Sequence, residues 1–429
     1  MTQDKTQPNP SRREYSFATV AIHTGSHPDP STNAVIAPIG VSTTFAQSEI
    51  GTSKYEYSRS GNDSRERFET AVAALEKGKY GLAFSSGSAV TAAILDSLRG
   101  GHIVSSHDVY GGTHRYMTKV AKHKELETTF VNLSNPEKLR DVLRSDTKAV
   151  WVESPSNPTL SLVDIGEISQ IAKEMNPNII IVVDNTFLSP YVSNPLTLGA
   201  DIVFHSVTKY INGHSDVVMG ALVTNSDPLY ETLKFLQNAN GAVPSAFDCF
   251  LAHRGLKTLA LRVKAASDSA LAIATFLANS PNVLAVSYPG LKSHPQHALT
   301  YKQHRIDSSG QPLSGGMISF RIRGGSQVAE QFCYSTKLFT LAESLGGVES
   351  LLEIPARMTH SGLTEEERIR AGVFPDLIRL SVGIEDQEDL IWDIEQAFEK
   401  ARGTEVEESI KEEQEVDSGL GSEVSSVTA

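Results

Sequence analysis

Short apolar runs alternate with amphipathic segments along most of the chain. Apolar side chains recur at helical spacing in 64–77, and a run of small residues at 85–88 opens a second predicted helix that ends at residue 98. Runs rich in β-branched residues predict buried strands at 102–105, 149–152, 179–183 and 202–204, and helices are predicted between strands at 136–144 and 164–175. This alternation predicts an α/β fold with a mostly parallel central sheet and helices on both faces.

The pattern changes in the second half of the chain. Residues 254–280 predict one long helix that leads to a smaller C-terminal α+β domain. Within that domain we expect strands near 283–287, 316–322 and 377–382, and helices near 326–334 and 386–402. The predicted organisation is a disordered segment at 1–15, an extended N-terminal arm at 16–63, a large domain at 64–258, a small domain at 259–402 and a disordered acidic tail at 403–429.

Composition narrows the class of protein. The 429 residues are 40% hydrophobic and 21% charged, as in globular proteins. The net charge of −13 argues against a nucleic-acid-binding surface, and much of it lies in the tail. The chain has two cysteines, Cys249 and Cys333, which suits a reducing compartment and suggests no metal site. No apolar run approaches the roughly 18 residues of a membrane helix, and the polar N-terminus is not a secretory signal, so we predict a cytoplasmic protein.

Charged residues follow the predicted strands of the large domain. Asp184 ends the run 179–183, and Glu153 and Lys209 come directly after other strands, where ligands bind in such folds. A buried carboxylate needs a cationic partner, and a protonated pyridine nitrogen would be one, although Asp184 alone could equally cap a helix. A lysine amine forms imines with aldehydes and can act as a base, although a lone lysine is more often a surface residue.

Other features are ambiguous when taken singly. The helix start at 85–88 offers free N–H groups to an anion, but an ordinary N-cap explains it as well. Tyr110 precedes two glycines and could stack on a ring or simply occupy a turn. Arg379 lies in an apolar strand, where burial favours an anionic partner. The sequence has neither a GxxxxGK[ST] motif nor a GxGxxG motif placed after a strand, so nucleotide binding is not indicated.

Together these segments resemble the Cys/Met-metabolism family of pyridoxal 5'-phosphate (PLP) enzymes, the trans-sulfuration enzymes of fold type I. The resemblance spans roughly 17–400. It rests on YEYSRSGN (55–62), SSGSAV (85–90), DVYGGTHRY (108–116), ESPSNPT (153–159), VDNTF (183–187), SVTKYINGHSDVVMG (206–220), RGLKTL (254–259), ESLGGVESL (343–351) and RLSVGIED (379–386). One departure is Asp63, which stands where the family usually has proline.

The resemblance implies a role for each matching residue. Lys209 would hold PLP covalently and move protons, Asp184 would pair with the pyridine nitrogen, and Tyr110 would stack on the ring. The phosphate group would be bound by Gly87, Ser88, Ser206 and Thr208, with Tyr57 and Arg59 from a partner subunit. The substrate would be bound by Asn157, Arg379 and the backbone of Ser344 at its α-carboxylate, and by Glu343, Glu56 and Arg115 at its distal end.

The implied reaction is γ-elimination on L-cystathionine, which gives cysteine, 2-oxobutanoate and ammonia and serves cysteine biosynthesis by trans-sulfuration. The segments 110–116 and 343–360 favour this reaction, as in fungal members. A cystathionine γ-synthase or an O-acylhomoserine sulfhydrylase would share nearly every motif. Methionine γ-lyase is disfavoured because it typically has a cysteine where Gly112 stands. A non-catalytic binding protein is a further alternative, and the family implies a homotetramer with shared active sites.

Overall fold

The computed structural model describes residues 14–362 and 364–402. The predicted acidic tail and nearly all of the predicted disordered N-terminus lie outside these residues. Within them, seven strands form the larger sheet: β1 (Tyr80–Phe84), β2 (Gly101–Ser106), β3 (Leu126–Val131), β4 (Thr147–Glu153), β5 (Ile180–Asp184), β6 (Ile202–Ser206) and β7 (Gly220–Thr224). Their order is β1-β7-β6-β5-β4-β2-β3, and β7 runs antiparallel to both neighbours while the other pairs are parallel. The prediction of a mostly parallel sheet is confirmed.

Helices precede, connect and follow these strands. They are α1 (Phe17–His23), α2 (Asp63–Leu75), α3 (Gly87–Ser97), α4 (Gly111–Arg115), α5 (Ile165–Met175), α6 (Ser189–Val192), α7 (Asp227–Ala239), α8 (Ala246–Leu256), α9 (Leu259–Asn279), α10 (His297–Gln303), α11 (Gly325–Ser335), α12 (Glu365–Arg370) and α13 (387–402). A π-helical turn (Tyr116–Val120) and short 3₁₀ turns (Ala121–Lys124, Pro136–Leu139 and Pro195–Leu198) complete the set.

Both faces of the central sheet are covered. Successive side chains of a strand point to opposite faces, and the core divides accordingly. Trp151 and Val182 pack in the cluster that contains α3, whereas Val150 and Val183 pack with α5 on the other face. Because all four side chains are fully buried, these strands form continuous apolar runs, which is why they are recognisable in the sequence.

The small domain has its own sheet and core. Strands β8 (Val283–Ser287), β9 (Met317–Ile322), β10 (Thr340–Leu341), β11 (Leu351–Glu353) and β12 (Leu377–Ser381) lie in the order β10-β11-β12-β9-β8. An aromatic cluster of Phe320, Phe332 and Phe398 packs beneath it. Helix α9 serves both domains, since Leu259 and Val263 pack in the large core and Ile273 and Leu277 in the small one. The predicted boundary at 258/259 therefore falls at the start of a shared helix.

Three predicted segments differ from the structure. The long helix at 254–280 is two helices, α8 and α9, separated by a turn at 257–258. The helix at 136–144 is only a 3₁₀ turn over Pro136–Leu139. The arm at 16–63 contains helix α1, which packs Ala21 into the core with Phe17 and Val20 against it. Among the described residues, no helix is long and apolar enough to cross a membrane.

A buried carboxylate fixes the last helix to the small domain. Asp393 of α13 is fully buried; its Oδ1 accepts from the backbone N–H of Lys337 (2.7 Å), and its Oδ2 accepts from those of Leu338 (2.8 Å) and Phe339 (3.0 Å). Replacing it with alanine would leave three N–H groups without this acceptor.

We expect Asp393→Ala to lower the free energy of unfolding by about 3 kcal/mol, because hydrogen bonds to charged groups and buried unsatisfied donors each carry that order of energy. Urea unfolding followed by circular dichroism measures the change. Glu395→Ala, an exposed position on the same helix, is the matched control. Equal unfolding midpoints for the two variants would contradict this prediction.

Candidate active site

The site lies at the carboxyl ends of β4, β5 and β6. Glu153, Asp184 and Ser206 each follow by two residues a side chain that packs in the cluster with α3, namely Trp151, Val182 and Phe204. The two-residue period of a strand directs them to that same face. Glu153 and Asp184 are also cross-strand partners in the parallel register. Strand geometry alone thus gathers these polar groups beside the start of α3.

These residues border a cavity of about 240 Å³. Among its lining residues are most of those singled out from the sequence: Gly87, Ser88, Tyr110, Asn157, Asp184, Ser206, Thr208, Lys209, Glu343, Ser344 and Arg379. Asp184 ends β5 and Lys209 follows β6, the next strand of the large domain. Both residues line this cavity. The cavity is also lined by Glu153, which the sequence placed at a strand end without a specific role, and by Thr186 and Thr359, to which the sequence assigned no role.

The start of α3 forms one wall of the cavity. Ser86 caps the helix by accepting from Ala89 N–H at 3.0 Å. The amides of Gly87 and Ser88 have no intrahelical acceptor by helix geometry, so they are available to an anion. Gly87 approaches Ser206 so closely that an added Cβ would lie 3.2 Å from the Ser206 Cβ. Backbone amides and the hydroxyl of Ser206 therefore meet at a place suited to a phosphate group.

Lys209 lies three residues beyond β6, in the turn that follows it. Its Nζ donates to Ser344 Oγ at 2.8 Å. Burial, together with the nearby Arg379 guanidinium, lowers the pKa of Lys209 to about 8. A substantial fraction of the amine is therefore neutral near physiological pH, as nucleophilic attack on an aldehyde requires.

A buried arginine forms hydrogen bonds with the backbone of the loop that follows Lys209. Arg262 of α9 donates to the carbonyl oxygens of Tyr210 (2.7 Å), Ile211 (3.2 Å) and Gly255 (2.8 Å). Tyr210 in turn accepts at its hydroxyl from Gly316 N–H at 3.2 Å. These bonds tie the lysine loop to the helix that joins the domains.

Asp184 is buried and accepts hydrogen bonds from one neighbouring residue. Thr186 donates to Oδ1 through its backbone N–H (3.0 Å) and its hydroxyl (2.5 Å). Within the described ranges no lysine or arginine forms an ion pair with Asp184. Burial raises the pKa of this carboxyl group, and the two bonds from Thr186 oppose that rise. A cation placed beside it, such as a protonated pyridine, would satisfy the buried charge.

Two further carboxyl groups are buried at this end of the sheet: Glu153 faces Asp184, and Asp108 acts electrostatically on Glu153. Glu153 is buried, and its Oε2 accepts from Tyr110 N–H at 2.8 Å. Burial and the facing Asp184 raise the pKa of Glu153 well above its usual range. Asp108 is buried as well, and burial raises its pKa to about 6 against hydrogen bonds from Thr159 and Ser156.

Arg379 of β12 crosses from the small domain to the large one. It is buried; its Nη1 donates to Asn157 Oδ1 (2.9 Å) and its Nη2 to the Ser344 carbonyl (2.8 Å). Glu353 forms an ion pair with Nη1 at 3.0 Å and accepts from the Thr359 hydroxyl at 2.8 Å. The Nε of Arg379 is buried without a hydrogen-bond partner among the described residues, so the guanidinium retains a donor for a substrate carboxylate.

Four of the residues implied by the resemblance lie away from this cavity. Glu56, Tyr57 and Arg59 are exposed on the arm, where Arg59 donates to the Asn238 carbonyl (3.3 Å) and packs over the Tyr57 ring. Arg115 is exposed on α4. Within one chain, these four do not join the other site residues.

The residues present fit PLP. A nucleophilic lysine, a buried carboxylate without a strong cationic partner, free helix amides and an aromatic side chain border one cavity of suitable size. Each matches one part of that cofactor, namely its aldehyde, ring nitrogen, phosphate and ring face. Glu353 and Thr186 were missed because only the fold brings them to the site; the single signal for Glu353 was a carboxylate within an apolar run at 351–354.

Comparison with known proteins agrees with this geometry. Residues 18–399 match the family described as Cys/Met metabolism PLP-dependent enzyme. Cystathionine gamma-lyase of Saccharomyces cerevisiae is 60% identical over 90% of this chain and 98% of its own length. The human cystathionine gamma-lyase is 50% identical over 90% of this chain and 94% of its own.

Solved structures give the same result. The crystal structure of the yeast cystathionine gamma-lyase superposes with a TM-score of 0.87 at 58% identity, covering 91% of this chain and 99% of that one. Cystathionine gamma-lyase from Lactobacillus plantarum, complexed with L-serine, gives 0.86 at 40% identity over 90% and 100%. The chain therefore belongs to the Cys/Met-metabolism family of PLP-dependent enzymes.

Proposed function

We propose that this enzyme uses PLP to perform γ-elimination on L-cystathionine, giving L-cysteine, 2-oxobutanoate and ammonia. The observation that carries the proposal is the 60% identity to the yeast cystathionine gamma-lyase across nearly the whole of both chains. The site agrees, since it offers groups for a cofactor and for both ends of an amino-acid substrate. The alternative, a γ-synthase or sulfhydrylase, has no better support from the relatives.

Lys209 is the residue that we assign to covalent binding and proton transfer. When bound, PLP supplies an electron sink that stabilises negative charge at the substrate carbon. The amine of Lys209, with its pKa lowered to about 8, is suited to accept the α-proton and to return protons in later steps. Its bond to Ser344 Oγ orients Nζ within the cavity.

We assign the remaining cavity residues by their chemistry. Asp184 would pair with the ring nitrogen and Tyr110 would cover the ring, while Gly87, Ser88, Ser206 and Thr208 would bind the phosphate. Arg379 and Asn157, which are already hydrogen bonded to each other, would bind the substrate α-carboxylate beside the backbone of Ser344. Glu343 would bind the distal ammonium group of cystathionine.

A second copy of the chain would complete the site. We infer a homo-oligomer, a tetramer built from dimers, in which Tyr57 and Arg59 reach the phosphate of the partner's site and Glu56 and Arg115 lie near the distal substrate end. The exposure of large apolar side chains on the arm supports this, with Val41 75% and Ile50 101% exposed. Two free, buried cysteines are consistent with a cytoplasmic location.

The first test is removal of the lysine. We expect Lys209→Ala to lower kcat for cystathionine by about three orders of magnitude or more, because the proton-transfer group is lost. Release of 2-oxobutanoate measures this rate. Lys292→Ala, an exposed lysine, is the control, and near-normal turnover by Lys209→Ala would contradict the assignment. Cysteine supplied with an activated homoserine tests the synthase alternative in the same assay series.

The second test concerns selectivity at Glu343. We expect Glu343→Gln to raise KM for cystathionine by up to about fivefold, the effect of losing roughly 1 kcal/mol of charge pairing at an accessible site. Homoserine lacks the distal ammonium group, so its KM should change little. Equal changes in KM for cystathionine and homoserine would show that Glu343 does not bind the distal ammonium group.

The third test concerns the pH dependence of Lys209. The rate of PLP attachment to cofactor-free protein should rise with pH through a midpoint of about 8, because only the neutral amine attacks. Borohydride fixation at set times followed by peptide mass spectrometry measures this rate. In Glu343→Gln the midpoint should fall, because the Glu343 carboxylate favours the charged amine. A midpoint near 10.5, the ordinary lysine value, would contradict the analysis.

A further inference from the structure

Glu153 and Asp184 are two buried carboxyl groups on neighbouring strands. They are paired in the parallel register of β4 and β5, so their side chains lie on the same face of the sheet. Both residues are at most 8% exposed. Two carboxylates that share a buried site cannot both ionise at ordinary cost, and one of them retains a proton.

Hydrogen bonding decides which of the two carboxyl groups, Glu153 or Asp184, retains the proton. Asp184 accepts two bonds from Thr186, and His205 also favours its ionised form. Glu153 accepts one, from Tyr110 N–H. The other ionisable group that acts on Glu153 is Asp108, whose carboxyl group disfavours a second negative charge. The proton therefore belongs on Glu153, and burial together with the facing Asp184 raises the pKa of Glu153 accordingly.

We propose that Glu153 is a positioning residue that stays protonated at working pH, holds the backbone of Tyr110 at the mouth of the site and leaves Asp184 as the charged carboxylate facing the cofactor nitrogen. This inference rests on the proposed function, because it assigns Asp184 and Tyr110 to that cofactor. Tyr110 immediately precedes α4. The hydrogen bond from its N–H to Glu153 therefore fixes the start of that helix and the backbone position from which the tyrosine ring extends.

The proton itself can be observed. In the holoenzyme at pH 8, infrared difference spectra between wild type and Glu153→Gln should show the C=O stretching band of a protonated carboxyl group that the variant lacks. Asp108→Asn is the matched control and should keep the band, because Asp108, with a pKa of about 6, is largely ionised at pH 8. If the wild-type band is missing, Glu153 is ionised and the proposal is wrong.

Cofactor affinity gives a second readout. Glutamine reproduces a neutral glutamic acid and can still accept from Tyr110 N–H, whereas leucine cannot. We expect the dissociation constant of PLP to stay within about threefold of wild type in Glu153→Gln and to rise by about tenfold or more in Glu153→Leu, which loses a buried acceptor. Equal weakening in both variants would mean that a charged Glu153 is needed, and no weakening in either would mean that it positions nothing.

These outcomes are separable from the proposed function. Turnover of cystathionine by the wild-type enzyme tests that function and does not depend on the state of Glu153. A wild-type enzyme that cleaves cystathionine but shows no carboxyl band overturns only the inference about Glu153. A wild-type enzyme that binds PLP and shows the band, but does not cleave cystathionine, leaves the inference in place for another reaction of the same cofactor.

Discussion

The buried guanidinium of Arg379 is the interaction on which the site depends. An unpaired buried charge is costly, and this one is compensated from both domains. Glu353 of the adjacent strand β11 supplies the counter-charge, and Asn157, which follows β4 in the large domain, accepts a hydrogen bond. The Ser344 carbonyl supplies a third partner, from the loop whose hydroxyl also accepts from Lys209. The substrate carboxylate that we propose for this site would bind where the two domains already meet, at a cation whose hydrogen bonds are formed within the protein itself.

Register in the parallel sheet imposes the second constraint. Because β4, β5 and β6 run side by side, residues at their carboxyl ends fall at one edge, and their two-residue period decides which face they meet. Glu153, Asp184 and Ser206 satisfy both conditions with the start of α3. We propose that Glu153 retains a proton in this pair of acids, which leaves on Asp184 a buried charge that a cationic ring nitrogen would compensate.

Much of this architecture could be predicted from the sequence, for identifiable reasons. Strands β4, β5 and β6 are buried on both faces, so their apolar runs are unmistakable, and the groups at their ends follow directly. Strands β1 and β7 escaped because Gly81 and Gly220 interrupt their apolar runs, and both glycines are required because a Cβ added at either would lie within 2.4 Å of a neighbouring backbone oxygen. The residue pattern alone could not bring Arg379 and Asn157 together, because they lie 222 positions apart in the chain, and only the family resemblance implied a shared site for them. We propose that Tyr57 and Arg59 contribute to the site of a second chain, and the sequence pattern of one chain cannot predict a contact with another.

The loop at 343–347 shows how closely the two domains must approach for this site to form. Gly346 has a φ of +75°, and a Cβ there would lie 2.7 Å from the backbone nitrogen of Tyr210, the residue after the lysine. Its own N–H donates to Ser381 Oγ at 2.8 Å, two residues beyond Arg379. Ser344 adopts a positive φ of +91° without being glycine, a conformation that neighbouring contacts must stabilise. One loop therefore contacts the lysine and the arginine at once, since Ser344 accepts from Lys209 at its hydroxyl and from Arg379 at its carbonyl. The position of the lysine amine is thereby coupled to that of the arginine across the domain boundary, through Ser344.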